Sequence, residues 1–409
     1  MKKRIKAIVS LAAVTVSIIC IAGCSAFDID KTGSLTTTEK TVGTYSGSVL
    51  DQDVLDKLET LETYVNKYYY YDVDDDWAEG IYEGLMEALD DPYAKYYTAE
   101  EYAELAESNS GEYAGIGVVV RQDTDTGYPV AVSIVEDSPA ASVDIQAGDY
   151  IVQIDDYEIE SSDDLDYLVS MIRGDEGTDV TLKIYRPDDM KYHEVTITRQ
   201  IVENKTVSYT MMDDNIGYIV ISQFVSNTDE QFEEAVDDLE SQGMQALLID
   251  VRDNPGGILD TVVNVCDYIL SEGLIVYDED KEGNIVSSYE ATDEHSIDIP
   301  MAILVNGESA SASEILTGAL KDHGVATVIG ETTYGKGIVQ SLISLGDGSA
   351  IKLTTSKYYT PNGNDIHEVG IEPDIEVSLP DDYTTDDYLG ENDTQYQKGI
   401  EVLKEALEQ

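Results

Sequence analysis

The sequence predicts a multidomain protein of the α/β class, and three features carry that prediction. Strand-length apolar runs alternate with helical segments from about residue 201 to residue 380. A stretch from residue 101 to residue 187 has short strands and glycine-rich turns of its own. A basic N-terminal stretch and an apolar run precede both of these regions. At 409 residues, 42% of them apolar, the chain has room for two or three such units.

The acidic composition limits the partners that the protein can bind. The chain carries 83 acidic and 24 basic side chains, a formal net charge of −59 at pH 7. Such a surface repels nucleic acid and anionic lipid headgroups, which are also negatively charged. We therefore expect no nucleic-acid partner, and we interpret acidic runs such as residues 72–76 as solvated surface.

The first residues have the layout of a secretory signal. Basic residues at positions 2, 3, 4 and 6 precede an apolar run from Ala7 to Gly23. The run ends in Ile21-Ala-Gly-Cys24, which resembles the lipobox of bacterial lipoproteins. That resemblance implies cleavage after residue 23 and a lipid on Cys24. An uncleaved transmembrane helix over residues 7–27 is the alternative. Both interpretations tether the bulk of the chain to the outer face of the bacterial cell membrane.

Two segments separate this signal from the first compact module. Residues 24–50 are rich in Ser, Thr and Gly and predict a flexible tether. Residues 51–100 predict an N-terminal helical segment, with a second helix from Trp77 to Leu89 that Pro92 ends. The first helix has an apolar face that offers a contact for a homodimer: Val54, Leu58, Leu61 and Val65.

Residues 101–187 are predicted to form a separate module. Strands are expected at Gly115–Arg121, Val130–Ile134, Tyr150–Ile154 and Asp179–Tyr185, and a helix at Ser162–Ile172. With the phrases Ser138-Pro-Ala-Ala141 and Ile145-Gln-Ala-Gly-Asp149, this order resembles a PDZ domain. The resemblance implies that a peptide's terminal carboxylate binds at Gly115, Ile116, Gly117 and Val118 while the peptide adds as a strand. The alternative is that these glycines only form a hairpin turn.

An α/β core is predicted over residues 201–380, and an acidic tail with a helix over residues 381–409. Core strands are expected at Ile216–Ile221, Ala246–Val251, Met301–Val305 and Ala326–Ile329. Helices are expected at Thr228–Gln242, Ile258–Leu270, Glu314–Leu320 and Tyr396–Leu407. Cys266 falls in an apolar helical stripe, so we expect a packed core thiol there.

Two junctions between a strand and a helix carry candidate chemistry. The turn Asn254-Pro-Gly-Gly257 frees backbone N–H groups that suit an oxyanion hole, although an ordinary turn is the alternative. The second junction holds Ser309, Ser311 and Ser313 where a helix begins, and unpaired N–H groups and the helix dipole favour developing negative charge there. Ser311 followed by Glu314 also fits a helix capping box, which is a purely structural role.

A serine nucleophile needs a base, and the chain offers histidines or a lysine. The four histidines have no persuasive local setting, although His323 and His367 remain open as alternatives. Lys336 lies between two glycines and precedes apolar residues. Burial would lower the pKa of such a lysine and supply a neutral amine near pH 7. The sequence therefore favours a serine and a lysine working together.

Two ligand-binding motifs are only partly present. Residues 330–336 fit the start of a phosphate-binding loop, but Gly337 stands where the magnesium-binding hydroxyl belongs. Residues 278–283 start like an EF-hand calcium loop, yet Tyr289 stands at the position of the bidentate glutamate. A charged hairpin tip explains the second stretch better. We therefore expect neither a cofactor nor a metal.

Taken in order, the motifs resemble peptidase family S41, the carboxyl-terminal processing serine endopeptidases. The resemblance covers nearly everything from about residue 51 onward and implies a crotonase-like protease core with an inserted PDZ domain and an N-terminal helical segment. The motifs that carry it are Asp90-Asp-Pro-Tyr93, Asp250-Val-Arg-Asp-Asn-Pro-Gly-Gly257, Ser309-Ala-Ser-Ala-Ser-Glu314 and Gly330-Glu-Thr-Thr-Tyr-Gly-Lys-Gly-Ile-Val-Gln340.

The same resemblance implies residue roles and a substrate class. Ser311 would be the nucleophile, Lys336 the general base and Gln340 the residue that orients the lysine. The oxyanion donors would be the backbone N–H groups of Ala312 and Gly257, with Gly256 as the alternative to Gly257. Substrates would be proteins or peptides whose apolar C-termini bind the PDZ-like module, with Arg173 as a further contact. The alternative function is a peptide-binding scaffold lipoprotein in which the serine and lysine are idle.

Overall fold

A computed structural model describes residues 50–73, 75–292, 295–384 and 387–408. The predicted signal, the lipid site at Cys24 and nearly all of the predicted tether lie outside these residues. Among the described residues, no helix combines the length and the apolar character needed to cross a bilayer.

The N-terminal segment is helical, as its apolar spacing predicts. Every residue of its first helix is described and none is buried, so the homodimer contact stays a prediction. The predicted helix from Trp77 begins with a short 3₁₀ turn, Asp75–Ala78, and becomes α-helical only at Glu79. The elements are α1 (Gln52–Tyr68), α2 (Glu79–Glu87), β1 (Lys95–Tyr97) and α3 (Ala99–Ser110).

A small β-rich module follows the helical segment. Its elements are β2 (Glu112–Gly115), β3 (Val118–Gln122), β4 (Pro129–Ile134), β5 (Tyr150–Ile154), β6 (Tyr157–Glu158), α4 (Leu165–Ile172), β7 (Asp179–Arg186), β8 (Lys191–Thr198) and β9 (Gln200–Glu203). The sheet runs β3-β4-β5-β7-β8, and β2 pairs with β9 where the chain enters and leaves the module. The predicted strand Gly115–Arg121 is wrong in one respect, because Ile116 and Gly117 lie between two strands. Gly117 has a φ of +77°, which a strand does not allow.

The remaining chain forms a larger core. Its elements are β10 (Val207–Met211), β11 (Ile216–Ile221), α5 (Thr228–Ser241), β12 (Ala246–Asp250), α6 (Leu259–Ile269), β13 (Gly273–Glu279), β14 (Ile285–Ala291), β15 (Met301–Val305), α7 (Ala312–His323), β16 (Ala326–Gly330), β17 (Ile338–Ser344), β18 (Ala350–Tyr359), β19 (Ile375–Glu376) and α8 (Thr394–Leu407).

A six-stranded sheet in the order β10-β11-β12-β15-β16-β19 organises this core. Five strands of this sheet are parallel to one another: β11, β12, β15, β16 and β19. β10 pairs antiparallel with β11 at one edge. Side chains alternate between faces, so Ile249 and Ile303 pack with the residues of α5, α6 and α7. Leu248 and Leu304 face the opposite side and pack with α8. The predicted α/β class is confirmed.

A second sheet lies beside the first and includes a strand from the N-terminal segment. Its order is β1-β18-β13-β14, with β17 also paired to β18. Lys95 of β1 lies opposite Lys352 of β18. This pairing fixes the N-terminal segment against the core and brings the residues just before β1 close to the loop that precedes β17.

A buried ion-pair cluster joins α8 to the end of β12. The guanidinium of Arg252 donates to Asp250 at 2.7 Å and to Asp393 at 2.8 Å. Asp393 is fully buried and also caps α8 by accepting the Tyr396 N–H at 3.0 Å. The cluster therefore holds the tail helix and the chain that leaves β12 in one place.

Asp393→Ala is expected to destabilise the fold strongly. The change leaves the Arg252 guanidinium buried with only part of its countercharge and removes the cap of α8. Breaking a buried ion pair in this way costs about 3–5 kcal/mol. Urea denaturation followed by circular dichroism measures the change in the free energy of unfolding.

Asp381→Ala is the matched control, because Asp381 is an exposed aspartate of the same tail. We expect it to change the free energy of unfolding by less than about 0.5 kcal/mol. Equal urea midpoints for the two variants would show that the cluster does not support the tail.

Candidate active site

Three loops that carry candidate residues leave the same edge of the core sheet. They follow β12, β15 and β16, which are adjacent and parallel. Asp250 lies opposite Leu304, and Val305 lies opposite Gly330. Because parallel strands present their carboxyl ends at one edge, the three loops meet there.

The three serines of the loop after β15 have different surroundings. Ser309 and Ser313 are fully buried, and their hydroxyls donate to the carbonyl oxygens of Val251 at 2.7 Å and Asn254 at 3.0 Å. These two serines therefore hold the loops after β12 and β15 together. Ser311 is only partly buried and lies between them, at the N-cap of α7.

The backbone at Ser311 is unusual for a residue with a side chain. Its φ is +54° and its ψ is −113°, a conformation that L-residues rarely adopt. Ser311 and Glu314 form a capping box, which confirms the structural role considered for this serine. The hydrogen bond that carries it runs from the Ser311 N–H to Glu314 Oε2, at 2.9 Å. This bond uses the backbone N–H of Ser311 and therefore does not engage its hydroxyl.

The turn after β12 packs directly against Ser311. A methyl group added to Gly256 would lie 2.8 Å from both Ser311 Cβ and the Ala312 nitrogen. Asn254 is buried, and its Oδ1 accepts the Gly256 N–H at 2.8 Å. Among the residues that the structure describes, neither the Gly257 N–H nor the Ala312 N–H donates to a protein acceptor. Both N–H groups thus lack an acceptor within the described residues, whereas the N–H of Gly256 is already engaged.

The buried carboxylate of Glu314 connects the serine loop to the lysine loop. Oε2 accepts the N–H groups of Ser311 at 2.9 Å and Lys336 at 2.8 Å. Oε1 accepts the Gly335 N–H at 2.7 Å and the Thr333 hydroxyl at 2.6 Å. Glu314 is 0% exposed. The sequence suggested this residue only as a helix cap, because its partners 19 to 22 residues away leave no local pattern.

Lys336 lies in the loop between β16 and β17, half buried. Burial is the main cause that lowers the pKa of its amine, and the nearby ammonium of Lys352 lowers it further, while Glu314 acts in the opposite direction. The amine lies 4.7 Å from the centroid of the Tyr93 ring. Within the described part of the chain, no hydrogen bond joins this amine to the Ser311 hydroxyl.

Gln340 follows on β17, four residues beyond Lys336. Its side-chain Nε2 is buried and has no hydrogen-bond partner among the described residues. The backbone N–H groups of Ser311 and Lys336 thus donate to the same carboxylate. Among the described residues, no hydrogen bond joins the side chains of Ser311, Lys336 and Gln340.

A cavity of about 910 Å³ opens beside Gly335. Aromatic and acidic residues line it, among them Tyr93, Tyr334 and Glu368. Sequence reasoning assigned no site role to Tyr93. It belongs to a family motif in the N-terminal segment, but only the pairing of β1 with β18 shows that this motif reaches the lysine loop.

Two histidines that the sequence left open have different positions. His323 ends α7, and its Nε2 pairs with the carbonyl oxygen of Leu274 at 2.8 Å. His367 lines the cavity, and its Nδ1 is buried without a hydrogen-bond partner among the described residues. His367 is therefore the histidine that an experiment must compare with Lys336.

A second, smaller cavity lies in the β-rich module, between β3 and α4. Its volume is about 70 Å³, and all four predicted peptide-binding residues line it: Gly115, Ile116, Gly117 and Val118. Arg173 lines it as well, with its guanidinium 4.8 Å from the centroid of the Tyr113 ring. No described acceptor pairs with the N–H groups of Ile116 and Gly117. The groove therefore offers free donors beside a small apolar pocket.

Comparison with known proteins identifies both parts of the chain. Residues 215–377 match the model of peptidase family S41, and residues 114–197 match a PDZ domain. The carboxy-terminal-processing protease of Bartonella bacilliformis is 36% identical over 369 residues, which cover 87% of this chain and 82% of that protein. The carboxyl-terminal-processing protease of Synechocystis sp. is 35% identical over 325 residues, covering 78% and 75%.

A solved structure also resembles the chain. It is the photosystem II D1 C-terminal processing protease, 27% identical, with a TM-score of 0.49. The similarity covers 85% of this chain and 92% of that one.

Glu314→Gln is expected to destabilise the protein by about 2–3 kcal/mol, as for a buried group left unsatisfied. Each carboxylate oxygen of Glu314 accepts two donors, so either orientation of the glutamine amide turns its NH₂ group against two donors. Urea denaturation measures the loss.

Glu308, an exposed glutamate in the loop that precedes α7, supplies the control. We expect Glu308→Gln to leave the urea midpoint nearly unchanged. A Glu314→Gln protein as stable as this control would show that the carboxylate does not hold the two loops together.

Proposed function

The chain belongs to peptidase family S41 and is a serine peptidase with a PDZ domain, and from that premise we propose that Ser311 and Lys336 form its catalytic dyad. One observation carries the proposal. A single oxygen of Glu314 accepts the backbone N–H groups of both residues. Their main chains are thereby fixed relative to each other, so a lysine side chain has only its own rotamers to adjust in order to reach the serine.

Acylation follows from this arrangement. The Ser311 Oγ attacks the scissile carbonyl carbon while the neutral Lys336 amine takes the hydroxyl proton. The carbonyl oxygen becomes an oxyanion, which the free N–H groups of Gly257 and Ala312 stabilise. The C–N bond then breaks, the lysine ammonium gives its proton to the leaving amine, and an ester remains on Ser311.

Deacylation uses the same groups in reverse. The neutral Lys336 amine takes a proton from water as the water oxygen attacks the ester carbonyl. Collapse of the second tetrahedral intermediate returns the proton to Ser311 and releases the new C-terminal carboxylic acid. Gln340 would orient the lysine in both steps, through an amide whose Nε2 has no hydrogen-bond partner among the described residues.

The lysine can serve as a base only when it is neutral. Burial, which lowers its pKa, favours the neutral amine, and the positive charge of Lys352 adds to that effect. Activity should therefore rise as pH passes through this lowered pKa and reach its plateau at a lower pH than an exposed lysine would allow.

The PDZ domain supplies the recognition that we propose for protein substrates. An apolar C-terminus would add as a strand beside β3, with its terminal carboxylate on the free N–H groups of Ile116 and Gly117. The cavity of about 70 Å³ limits the last side chain to a small apolar one. Arg173 lies at the same cavity, where its charge favours a carboxylate.

Ser311→Ala and Lys336→Ala are each expected to lower kcat/KM by roughly a thousandfold or more, since each removes a group that acts in every turnover. The assay is cleavage of an unfolded protein that ends in alanine or valine. Binding of the same C-terminus should survive both changes.

Two controls sharpen this test. His367→Gln is expected to retain activity, because the histidine lines the cavity but has no role in the proposed steps. Substrate with an amidated C-terminus should be captured more weakly by wild type, because it lacks the carboxylate. Full activity in Ser311→Ala or Lys336→Ala would contradict the proposed dyad. If wild type and both variants bind the substrate but none cleaves it, the peptide-binding scaffold is favoured instead.

We also propose that the enzyme is exported and tethered to the outer face of the membrane through a lipid on Cys24. The basic residues, the apolar run and the lipobox-like end at Cys24 support this proposal.

Cys24→Ser in the full-length chain is expected to abolish incorporation of a labelled fatty acid and to release the protein from the membrane fraction of a bacterial host. Cys266→Ser is the control, since Cys266 is a buried core thiol. Unchanged membrane association without a lipid would favour the transmembrane helix instead.

A further inference from the structure

The amine of Lys336 has an aromatic contact that the proposed mechanism does not use. It lies 4.7 Å from the centroid of the Tyr93 ring, within the range in which a cation is attracted to a ring face. Among the described residues, the charged groups that act on this amine are Lys352 of β18 and Glu314 of α7. The Tyr93 phenol is in turn close to Tyr334, Asp91 and Glu368. Tyr93 comes from the N-terminal segment, so the contact joins two distant parts of the chain.

Tyr93 is held in place from several directions. Its N–H donates to the Asp91 carboxylate at 2.9 Å, and its phenol interacts with that of Tyr334. Two residues later β1 begins, and it pairs with β18 so that Lys95 lies opposite Lys352. The ring and the neighbouring ammonium of Lys352 are therefore positioned by the same sheet.

We propose that Tyr93 is a positioning residue for Lys336, and that its ring holds the amine in place when the amine is protonated. This inference rests on the proposed role of Lys336 as general base. A base must accept a proton and then give it up to the leaving group. A ring face attracts the ammonium but cannot take its proton, so it stabilises the intermediate state without competing for the proton.

Acid–base chemistry explains why an aromatic ring suits this position better than a carboxylate would. A carboxylate beside the amine would keep the lysine protonated by an ion pair and remove its basicity. The ring attracts the ammonium much more weakly than a carboxylate would, so the amine can still lose its proton. Burial and the hydrogen bond to Tyr334 raise the pKa of the Tyr93 phenol, which favours its neutral form.

The test compares three substitutions at one position. Tyr93→Leu keeps an apolar cover but loses the ring, Tyr93→Phe keeps the ring, and Tyr93→Trp strengthens the cation contact. Because the ring favours the ammonium, Tyr93→Leu should lower the pKa of Lys336 by about half a unit. Tyr93→Trp should raise it, and Tyr93→Phe should leave it close to wild type.

Two readouts follow the same group. One is the pH profile of kcat/KM, whose rising limb should move to lower pH in Tyr93→Leu, with a plateau roughly tenfold lower because the amine is less well oriented. The other is an NMR titration of isotope-labelled lysines in the full chain, with the Lys336 signal assigned through Lys336→Arg. The second readout reports the amine whether or not it is the base.

Tyr192→Leu is the matched control, because the Tyr192 ring has a lysine amine, Lys183, at 5.3 Å in the PDZ domain. It should move neither readout. An unmoved Lys336 titration in Tyr93→Leu, or an equal shift in Tyr93→Phe, would overturn the proposal. If Tyr93→Leu does not fold, the test is the pKa of Lys336 in Tyr93→Trp, which should rise. An unchanged pKa there would overturn the proposal. An NMR shift with an unmoved kinetic profile would support the contact and contradict Lys336 as the base.

Discussion

The buried carboxylate of Glu314 is the constraint on which the site depends. It accepts four hydrogen bonds from two loops and lies at the N-terminus of α7, where the helix dipole favours a negative charge. A charge buried this deeply is stable only while every donor stays in place. The same condition fixes the backbone of Ser311 against that of Lys336.

The parallel sheet explains why one carboxylate can reach both loops. β15 and β16 are neighbours, so the loop carrying Ser311 and the loop carrying Lys336 begin side by side. On the other side of β15, the hydroxyls of Ser309 and Ser313 donate to backbone carbonyls and hold the turn after β12 in place. Arg252, in the same turn, binds Asp393 at the start of α8. Buried polar groups thus hold all three loops, and the Glu314 carboxylate is the one that crosses between the proposed nucleophile and base.

Local patterns predicted much of the fold, and the failures have physical causes. β11 and β15 have the predicted bounds, because a buried parallel strand is a continuous apolar run. α7 begins at Ala312, two residues before the prediction, since small residues give no helical periodicity. Ser311 and Lys336 could be named from motifs, whereas the motif left Gly256 and Gly257 open as alternatives, and only the structure shows that the Gly256 N–H already donates to Asn254. The long-range contacts of Glu314 and Tyr93 could not be named from motifs, because they depend on strand pairing that no local spacing encodes.

The most direct measurement is to identify the side chain that carries the acyl group during turnover. A reaction with a peptide ester is quenched in acid, and the digested chain is examined by tandem mass spectrometry. The account predicts an ester on Ser311, with Ser309 and Ser313 unmodified because their hydroxyls bind backbone carbonyls. An acyl group on Ser309, on Ser313 or on the Lys336 amine would contradict it.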